Sequence, residues 1–204
     1  METRRLRITL CSGSLVVGGL AVALALVAGC GGKAITLADG GPTVGDQGPV
    51  GPAGPWTFVP DAASGAAAVS LKLETVLGDR ASLLVVARGV PALQGIAFRL
   101  AFDPARLTVS KTEQSPAWTA GSWFPTVARF APRASGELWA GLGYVGSHAL
   151  DASHEVTLAR LEVDLTGNDP IPLGFRPSRN LVTDPANSPV PVGWVGGTFK
   201  RAPR

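Results

Sequence analysis

The chain's only histidines, His148 and His154, flank Asp151 in the segment SHALDASH, and these residue types can bind a metal ion or form part of a catalytic triad. Their spacing matches no zinc signature, both cysteines lie within the first 30 residues, and no serine stands in a nucleophile-elbow motif. The acidic loops TGNDP (166–170) and VTDPANS (182–188) lack the dense carboxylate spacing of a calcium loop and are typical of turns. We therefore predict a solvated loop around the histidines, and no catalytic residue, metal site or cofactor.

The N-terminal segment carries a clearer chemical signal, a cysteine preceded by small residues. Three arginines at positions 4, 5 and 7 precede a long apolar run that ends in LVAGC (26–30), and this order is typical of a secretory signal peptide. LVAGC resembles the lipobox of bacterial lipoproteins. The resemblance implies cleavage between Gly29 and Cys30 and transfer of a diacylglyceryl group to the Cys30 thiol. An uncleaved membrane-spanning segment over residues 8–29 is the alternative.

Removal of residues 1–29 would leave a nearly neutral chain. That segment holds three of the 18 basic residues and one of the 15 acidic residues, so 15 basic and 14 acidic residues remain. This balance predicts no nucleic-acid partner. Because Cys11 would leave with the signal and Cys30 would be acylated, no disulfide can form and a packed core must stabilise the protein. We expect a monomer attached to a membrane through the lipid on Cys30, in a bacterial cell envelope, at the outer membrane or cell surface.

A Gly/Pro-rich segment follows the predicted lipidation site. GDQGPVGPAGPW (45–56) contains four consecutive Gly-x-y triplets, which resemble collagen but are too few for an isolated triple helix. An extended, proline-stiffened spacer explains the segment, and a short trimerising element is the alternative. We therefore assign residues 1–29 to a signal peptide, 30–60 to the lipidated cysteine and a collagen-like tether, and 61–204 to one folded domain.

Short segments of alternating apolar and polar residues follow one another from residue 67 onward. Turns rich in Gly, Pro, Asn and Asp separate them, and no long stretch of helical periodicity appears after the signal. The predicted strands are residues 67–76, 80–90, 95–102, 106–113, 126–132, 136–144, 158–165, 171–177 and 193–200. This pattern predicts an all-β fold, a jelly-roll or immunoglobulin-like β-sandwich of about nine strands.

The segment GIAFRLAFDPARLTV (95–109) illustrates how such a strand ends. Its alternation places one set of residues in the core, namely Ile96, Phe98, Leu100 and Phe102. Asp103-Pro104 then ends the strand, because the aspartate can accept a hydrogen bond from the backbone that follows and proline donates none. Leu107 and Val109 are expected to return to the core.

The longer segment GDRASLLVVARGVPALQGIAFRLAFDPARLTV (78–109) is similar to the cohesin family. A Gly-Asp turn leads to an apolar strand, a loop with Gly and Pro, a strand headed by glycine, and then Asp-Pro. LARLEVDLTG (158–167) and GWVGGTFK (193–200) resemble the last long strands of that family. The resemblance spans residues 67–200 and implies a jelly-roll sandwich close to certain cellulose-binding modules. It also implies binding rather than catalysis, since cellulosomal cohesins hold dockerin modules, to which the calcium belongs.

The resemblance further implies that one flat sheet face, rather than a deep pocket, engages the partner. On that face we expect Arg99 and Trp139, because arginine and tryptophan are enriched at binding hot spots. The competing site is a loop pair, Trp118 and Trp123, whose rings could stack on sugars.

We therefore predict a non-catalytic, cohesin-like binding module displayed by a cell-envelope lipoprotein, with a dockerin-like protein as its partner. The alternatives are a carbohydrate-binding module that recognises a polysaccharide and a purely structural envelope protein.

Overall fold

The computed structural model describes residues 54–63, 65–120 and 125–202, which form β-strands joined by turns and loops. The strands are β1 (Trp56–Pro60), β2 (Ala68–Leu77), β3 (Arg80–Arg88), β4 (Val90–Leu93), β5 (Gly95–Phe102), β6 (Leu107–Gln114), β7 (Thr126–Arg133), β8 (Glu137–Tyr144), β9 (Leu150–Ala152), β10 (Val156–Leu165), β11 (Ile171–Phe175), β12 (Leu181–Thr183), β13 (Gly193–Val195) and β14 (Gly197–Arg201). A short 3-10 helix, Pro116–Trp118, lies between β6 and β7. Within the described ranges, no helix is long and apolar enough to cross a membrane.

The strands form where apolar and polar residues alternate, because successive side chains of a strand point to opposite faces. In β5, Ile96, Phe98 and Leu100 are buried, whereas Ala97 is exposed. In β8, every second residue from Leu138 to Tyr144 is buried in the same way. Each of these strands therefore has one face in the core and one face outward.

Two sheets build the sandwich. The larger one has seven strands in the order β1-β14-β11-β5-β8-β7, and β12 pairs with the other end of β5. The smaller one has five strands in the order β13-β2-β3-β10-β6, in which only the β13–β2 pair is parallel. A two-stranded ribbon of β4 and β9 completes the strand pairing. The predicted all-β sandwich is confirmed, with the architecture of a jelly roll.

The core lies between the inner faces of the two sheets. Its fully buried members include Phe98, Leu100, Leu138, Ile171 and Phe199 from the larger sheet and Val69, Leu71, Leu83, Val85, Leu161 and Val163 from the smaller one. Aliphatic and aromatic side chains dominate this set, so burial of apolar surface is the main stabilising term.

The turn after β5 has the predicted chemistry. The Asp103 carboxylate accepts a hydrogen bond from the backbone N–H of Ala105 at 2.9 Å, and the Asp103 carbonyl accepts from Leu107 N–H at 2.9 Å. Leu107 is buried and Val109 packs against the core, as expected.

The nine predicted segments all contain strands, but the structure adds four more. β4, β9 and β12 are only three or four residues long and show no alternation that a sequence pattern could reveal. The segment 193–200 is divided into β13 and β14, which join different sheets.

The fourth additional strand, β1, lies within the segment assigned to the tether. It pairs in antiparallel register with β14, with Trp56 opposite Arg201 and Pro60 opposite Gly197. The Phe58 ring lies so close to Gly197 that a Cβ there would come within 2.3 Å of it. The fold therefore begins before residue 61, and the glycine is what admits the ring.

Candidate binding face

The outward side chains of β5, β7 and β8 form one continuous surface, which we call the Trp139 face. Its members, read from the strand register, are Gly95, Ala97, Arg99 and Ala101 of β5, Val127, Arg129, Ala131 and Arg133 of β7, and Glu137, Trp139, Gly141 and Gly143 of β8. On β5 and β8, small residues occupy one end of the face (Gly95, Ala97, Gly141 and Gly143), and the long side chains Arg99, Glu137 and Trp139 occupy the other. The result is a shallow surface with a few projecting anchors.

Trp139 stands at the centre of the projecting end. Arg99 is directly opposite it on β5, and the Arg99 guanidinium lies 3.7 Å from the centroid of the indole ring. The Arg133 guanidinium lies over the same ring at 4.7 Å. Cation–π contacts of this kind hold a surface indole in one orientation and contribute about 0.5–1 kcal/mol each at exposed sites.

A hydrogen-bonded chain fixes the indole further. Trp139 Nε1 donates to Glu137 Oε2 at 2.9 Å, and Arg176 Nε donates to Glu137 Oε1 at 3.0 Å. The pKa of Glu137 lies below its ordinary value, chiefly because the indole N–H bonds the carboxylate; desolvation opposes this, and the Arg176 charge reinforces it. Glu137 is therefore ionised at neutral pH, and its carboxylate holds the Trp139 indole in one orientation.

The loop after β11 is hydrogen-bonded to β5 at Arg99, beside Trp139. Arg176 N–H donates to the Arg99 carbonyl at 2.9 Å, and Arg99 N–H donates to Asn180 Oδ1 at 2.9 Å. Asn180 in turn donates to the Arg176 carbonyl at 2.7 Å. These bonds fix the backbone of Arg99 and link it through Arg176 to Glu137, so the strand that carries Arg99 is held beside Trp139 before a partner binds.

Two hollows lie beside the anchors. One, of about 360 Å³, is lined by Arg129, Ala131, Arg133, Trp139, Ala140 and Gly141. The other, of about 310 Å³, is floored by the small residues of β5 and β8 and flanked by the exposed side chains of Val127 and Leu181. Gly141 borders both hollows, and a Cβ placed on it would meet no atom within 4 Å.

Charge on the Trp139 face is strongly unbalanced. It carries Arg99, Arg129, Arg133 and Glu137, and Arg176 adds a further cation from the adjoining loop. The outer side of the five-stranded sheet differs, because four of the five cations on its strands have an acidic partner and, in the described part of the chain, only Arg88, at the end of β3, has none. These ion pairs are Lys72–Glu155 at 2.6 Å, Arg80–Asp164 at 3.0 Å, Lys111–Glu113 at 2.6 Å and Arg160–Glu74.

The structure brings Arg99 and Trp139 together, as two neighbours on one outward face. It places Trp118 elsewhere: this residue is 0% exposed, its Nε1 donates to the Leu158 carbonyl at 3.0 Å, and its ring packs against Tyr144. The predicted Trp118/Trp123 sugar site needs correction in this respect, because a buried indole offers no face to a ligand. Trp123, Gly29 and Cys30 lie outside the described residues.

The acidic loops 166–170 and 182–188 contain bends and turns, whereas the segment between the two histidines includes the short strand β9, on which Asp151 lies. Asp151 accepts hydrogen bonds from the backbone N–H and hydroxyl of Ser153, at 2.9 and 2.6 Å, and these bonds lower the pKa of its carboxyl. Asp184 accepts from the backbone N–H groups of Ala186 and Ser188. In the part of the chain that the structure describes, no group of three His, Cys, Asp or Glu side chains is placed to hold a metal ion.

Sequence reasoning missed Arg129, Arg133 and Arg176. Alternation in TVARFAPR (126–133) puts Arg129 and Arg133 on one side of a strand, so their common face could have been predicted. That this face is the one with Trp139 depends on the β7–β8 register, in which Ala131 is opposite Trp139. Arg176 follows a strand and reaches Glu137 only through the fold.

Neither a protein-family model nor a curated protein sequence matches this chain. Solved structures do. The second type II cohesin module of the ScaA scaffoldin of Acetivibrio cellulolyticus is 12% identical, with a TM-score of 0.53 over 63% of this chain and 91% of that module. A cohesin module from a family 33 glycoside hydrolase of Clostridium perfringens is 8% identical, with a TM-score of 0.50 over 68% of this chain and 96% of that one.

A third similar structure comes from a type II cohesin–X–dockerin complex of Acetivibrio cellulolyticus. It is 9% identical, with a TM-score of 0.50 over 61% of this chain and 90% of that one. Identities this low establish a shared fold and nothing finer, since one fold hosts many functions. The described part of the chain has the fold of the cohesin modules.

Proposed function

We propose that this domain is a non-catalytic binding module and that the Trp139 face holds a protein partner of dockerin type. The observation that carries the proposal is the half-buried, immobilised indole of Trp139 on the outward side of β8, with the Arg99 guanidinium 3.7 Å from its centroid. Tryptophan and arginine are the residue types that most often dominate binding energy at protein interfaces. Because Glu137 bonds the indole N–H and the Arg99 guanidinium already stacks on the indole ring, little side-chain entropy is lost on binding.

Two further features support a protein partner. The small residues at Ala97, Gly141 and Gly143 leave a shallow surface on which another folded surface can lie. In addition, one of the similar structures is a cohesin in complex with a dockerin. A partner of that class is therefore consistent with both the shape of the face and the fold.

A polysaccharide ligand is the second candidate, since Trp139 is an aromatic ring on a flat sheet. Two guanidinium groups lie over that ring and would have to move before a sugar could stack on it. The Trp118 half of the loop pair is buried, which removes one of the two rings of the alternative site.

The experiment is a comparative capture from lysate of the source organism, with immobilised wild-type protein and three variants. A protein identified by mass spectrometry should be retained by wild type, lost with Trp139→Ala, and weakened with Arg99→Ala. Arg160→Ala is the matched control, since Arg160 lies on the outer side of the other sheet and its loss should leave retention unchanged.

Recombinant partner would then be titrated by calorimetry against the same variants. Equal affinity for wild type and Trp139→Ala would contradict the proposal. Retardation of the wild type in gels that contain soluble polysaccharide, abolished by Trp139→Ala and without any captured protein, would favour the second candidate.

We also propose that the module is displayed in the cell envelope by a lipid on Cys30. The support is the sequence alone: LVAGC at residues 26–30, behind a basic and apolar leader. Stable anchoring needs more than one acyl chain, because a single chain binds a membrane only marginally. Residues 31–53 would then act as the spacer between the membrane and β1.

Detergent phase separation tests the anchor. Wild-type protein should enter the detergent phase, and Cys30→Ser should enter the aqueous phase. Retention of Cys30→Ser in the detergent phase, with residues 1–29 removed, would refute lipidation at this position.

A further inference from the structure

Arg129 and Arg133 are exposed cations on β7, the edge strand of the larger sheet. Among the described residues, neither has a carboxylate within ion-pairing distance. On the other sheet, by contrast, the cations Lys72, Arg80, Lys111 and Arg160 all have acidic partners. Among the described cations on the strands of that sheet, only Arg88 at the end of β3 lacks an ion pair, whereas on the Trp139 face two arginines of the same strand lack one.

These two arginines border the same hollow. They are four residues apart on one strand face, which separates their Cα atoms by about 13 Å and leaves Ala131 between them. Their side chains, with Trp139 and Gly141, line the space of about 360 Å³. An anion seated above Ala131 would have a guanidinium on each side, and arginine binds carboxylates with paired, charge-assisted hydrogen bonds.

The neighbouring hollow has a different character. It shares Arg129 and Gly141 with the first, but its projecting walls are Val127, 54% exposed, and Leu181, 44% exposed. Exposed apolar side chains on either side of small residues favour an apolar group from the partner. An acid and an apolar side chain close to each other are a feature of polypeptides rather than of hydroxyl-rich sugar chains.

We infer that the hollow between Arg129 and Arg133 binds a carboxylate side chain of the partner. The partner is then an acidic polypeptide segment that carries an apolar side chain beside its acid. This inference rests on the proposed function, because it specifies the chemistry of the partner that the Trp139 face holds.

Gly141 explains why both hollows stay open. Its φ lies outside the left-handed region, and a Cβ there would meet no atom within 4 Å, so the fold does not require glycine at this position. A larger residue would fill the border between the hollows. Gly141→Phe is therefore a steric block of the face that leaves the backbone unstrained.

The test measures binding of a synthetic random copolymer of glutamate and leucine to the full chain in detergent, by fluorescence anisotropy. Wild type should bind it saturably, and Arg129→Gln/Arg133→Gln should weaken binding about tenfold or more. The control, Arg80→Gln/Arg160→Gln, removes the same net charge from the other sheet and should change affinity less than about twofold. Added salt should weaken wild-type binding, since the attraction is between exposed charges.

Three results would overturn the inference. They are the absence of saturable copolymer binding, equal losses in the two double variants, and arginine-dependent binding of polygalacturonate without binding of the copolymer. The last result would instead assign the site to an anionic polysaccharide.

The captured partner separates this inference from the proposed function. If Trp139→Ala and Gly141→Phe fail to retain the partner but Arg129→Gln/Arg133→Gln retains it, the Trp139 face is supported and the carboxylate site is refuted. If all three release it, both stand. If none does, the proposed function itself fails.

Discussion

Replacement of Trp56 by alanine should destabilise the domain by about 3–5 kcal/mol. Trp56 is only 3% exposed, although it follows a run of Gly-Pro triplets. A tryptophan buries about 150–250 Å² of surface, which at about 25 cal/mol per Å² amounts to roughly 4–6 kcal/mol as an upper bound. Its contacts are the Phe199 ring at 6.5 Å and the Arg201 guanidinium at 4.6 Å.

Two further variants separate the parts of this effect. Trp56→Phe keeps most of the apolar contact but loses the indole bond to Asp79 Oδ1 at 3.0 Å, so it should cost about 1 kcal/mol beyond the packing change. Val59→Ala is the control within β1, since Val59 is 46% exposed, and it should cost under about 0.5 kcal/mol.

The assay is urea unfolding followed by far-ultraviolet circular dichroism, with chains that begin at residue 54. An unchanged m-value would show that the variants lose stability rather than compactness. A chain that begins at residue 61 lacks β1 and should lose at least as much as Trp56→Ala. If Trp56→Ala instead costs less than about 1 kcal/mol, β1 is not docked on β14 in solution and the domain begins at residue 61.

Three other measurements follow from the structure. Phe98→Ala should lower the free energy of unfolding by about 3–5 kcal/mol in the same assay, because Phe98 is 1% exposed. Arg99→Ala should lower it by about 1 kcal/mol or less. Similar losses for the two variants would mean that β5 is buried on both faces. Gly136→Ala should destabilise the domain strongly, since φ at Gly136 is +79° and a Cβ would lie 2.2 Å from a carbonyl oxygen. Gly141→Ala should be nearly neutral, because a Cβ there meets no atom within 4 Å. Comparable melting temperatures for the two variants would contradict this prediction. Glu137, whose pKa is lowered in the folded state, adds stability above the ordinary glutamate pKa of about 4.3, and that contribution disappears as pH falls through the lowered value. Glu137→Gln should therefore have a flatter stability profile than wild type in this acid range, and parallel profiles would rule the contribution out.

Alternation made the long strands predictable. In β5 and β8, side chains switch between core and solvent at every residue, so Phe98 and Leu138 could be placed inside and Arg99 and Trp139 outside from the sequence. A strand of three residues, such as β12, has no period to detect, and its pairing with β5 depends on tertiary contacts.

Two features depended on contacts between distant parts of the chain. Trp56 pairs with Arg201, near the other end of the chain, while its local sequence is that of a spacer. Trp118 is buried because the 3-10 helix directs its indole toward β10, where it bonds the Leu158 carbonyl. The local composition indicates only a loop. Likewise, Arg99 stacks on Trp139 because of the β5–β8 register. These two strands are not joined by a hairpin, so no turn in the sequence sets that register.

The position of β1 has a mechanical consequence if the module is tethered at Cys30. A load between a partner on β5 and β8 and the membrane would then enter the domain at the N-terminal end of β1. There Trp56 joins the two sheets, because its indole bonds Asp79 in the β2–β3 turn while its backbone pairs with Arg201 of β14. Tension along the strand axis would shear the β1–β14 hydrogen bonds together, whereas tension across it would open them one after another. The direction of pull relative to β1 would thus determine how much force the attachment withstands.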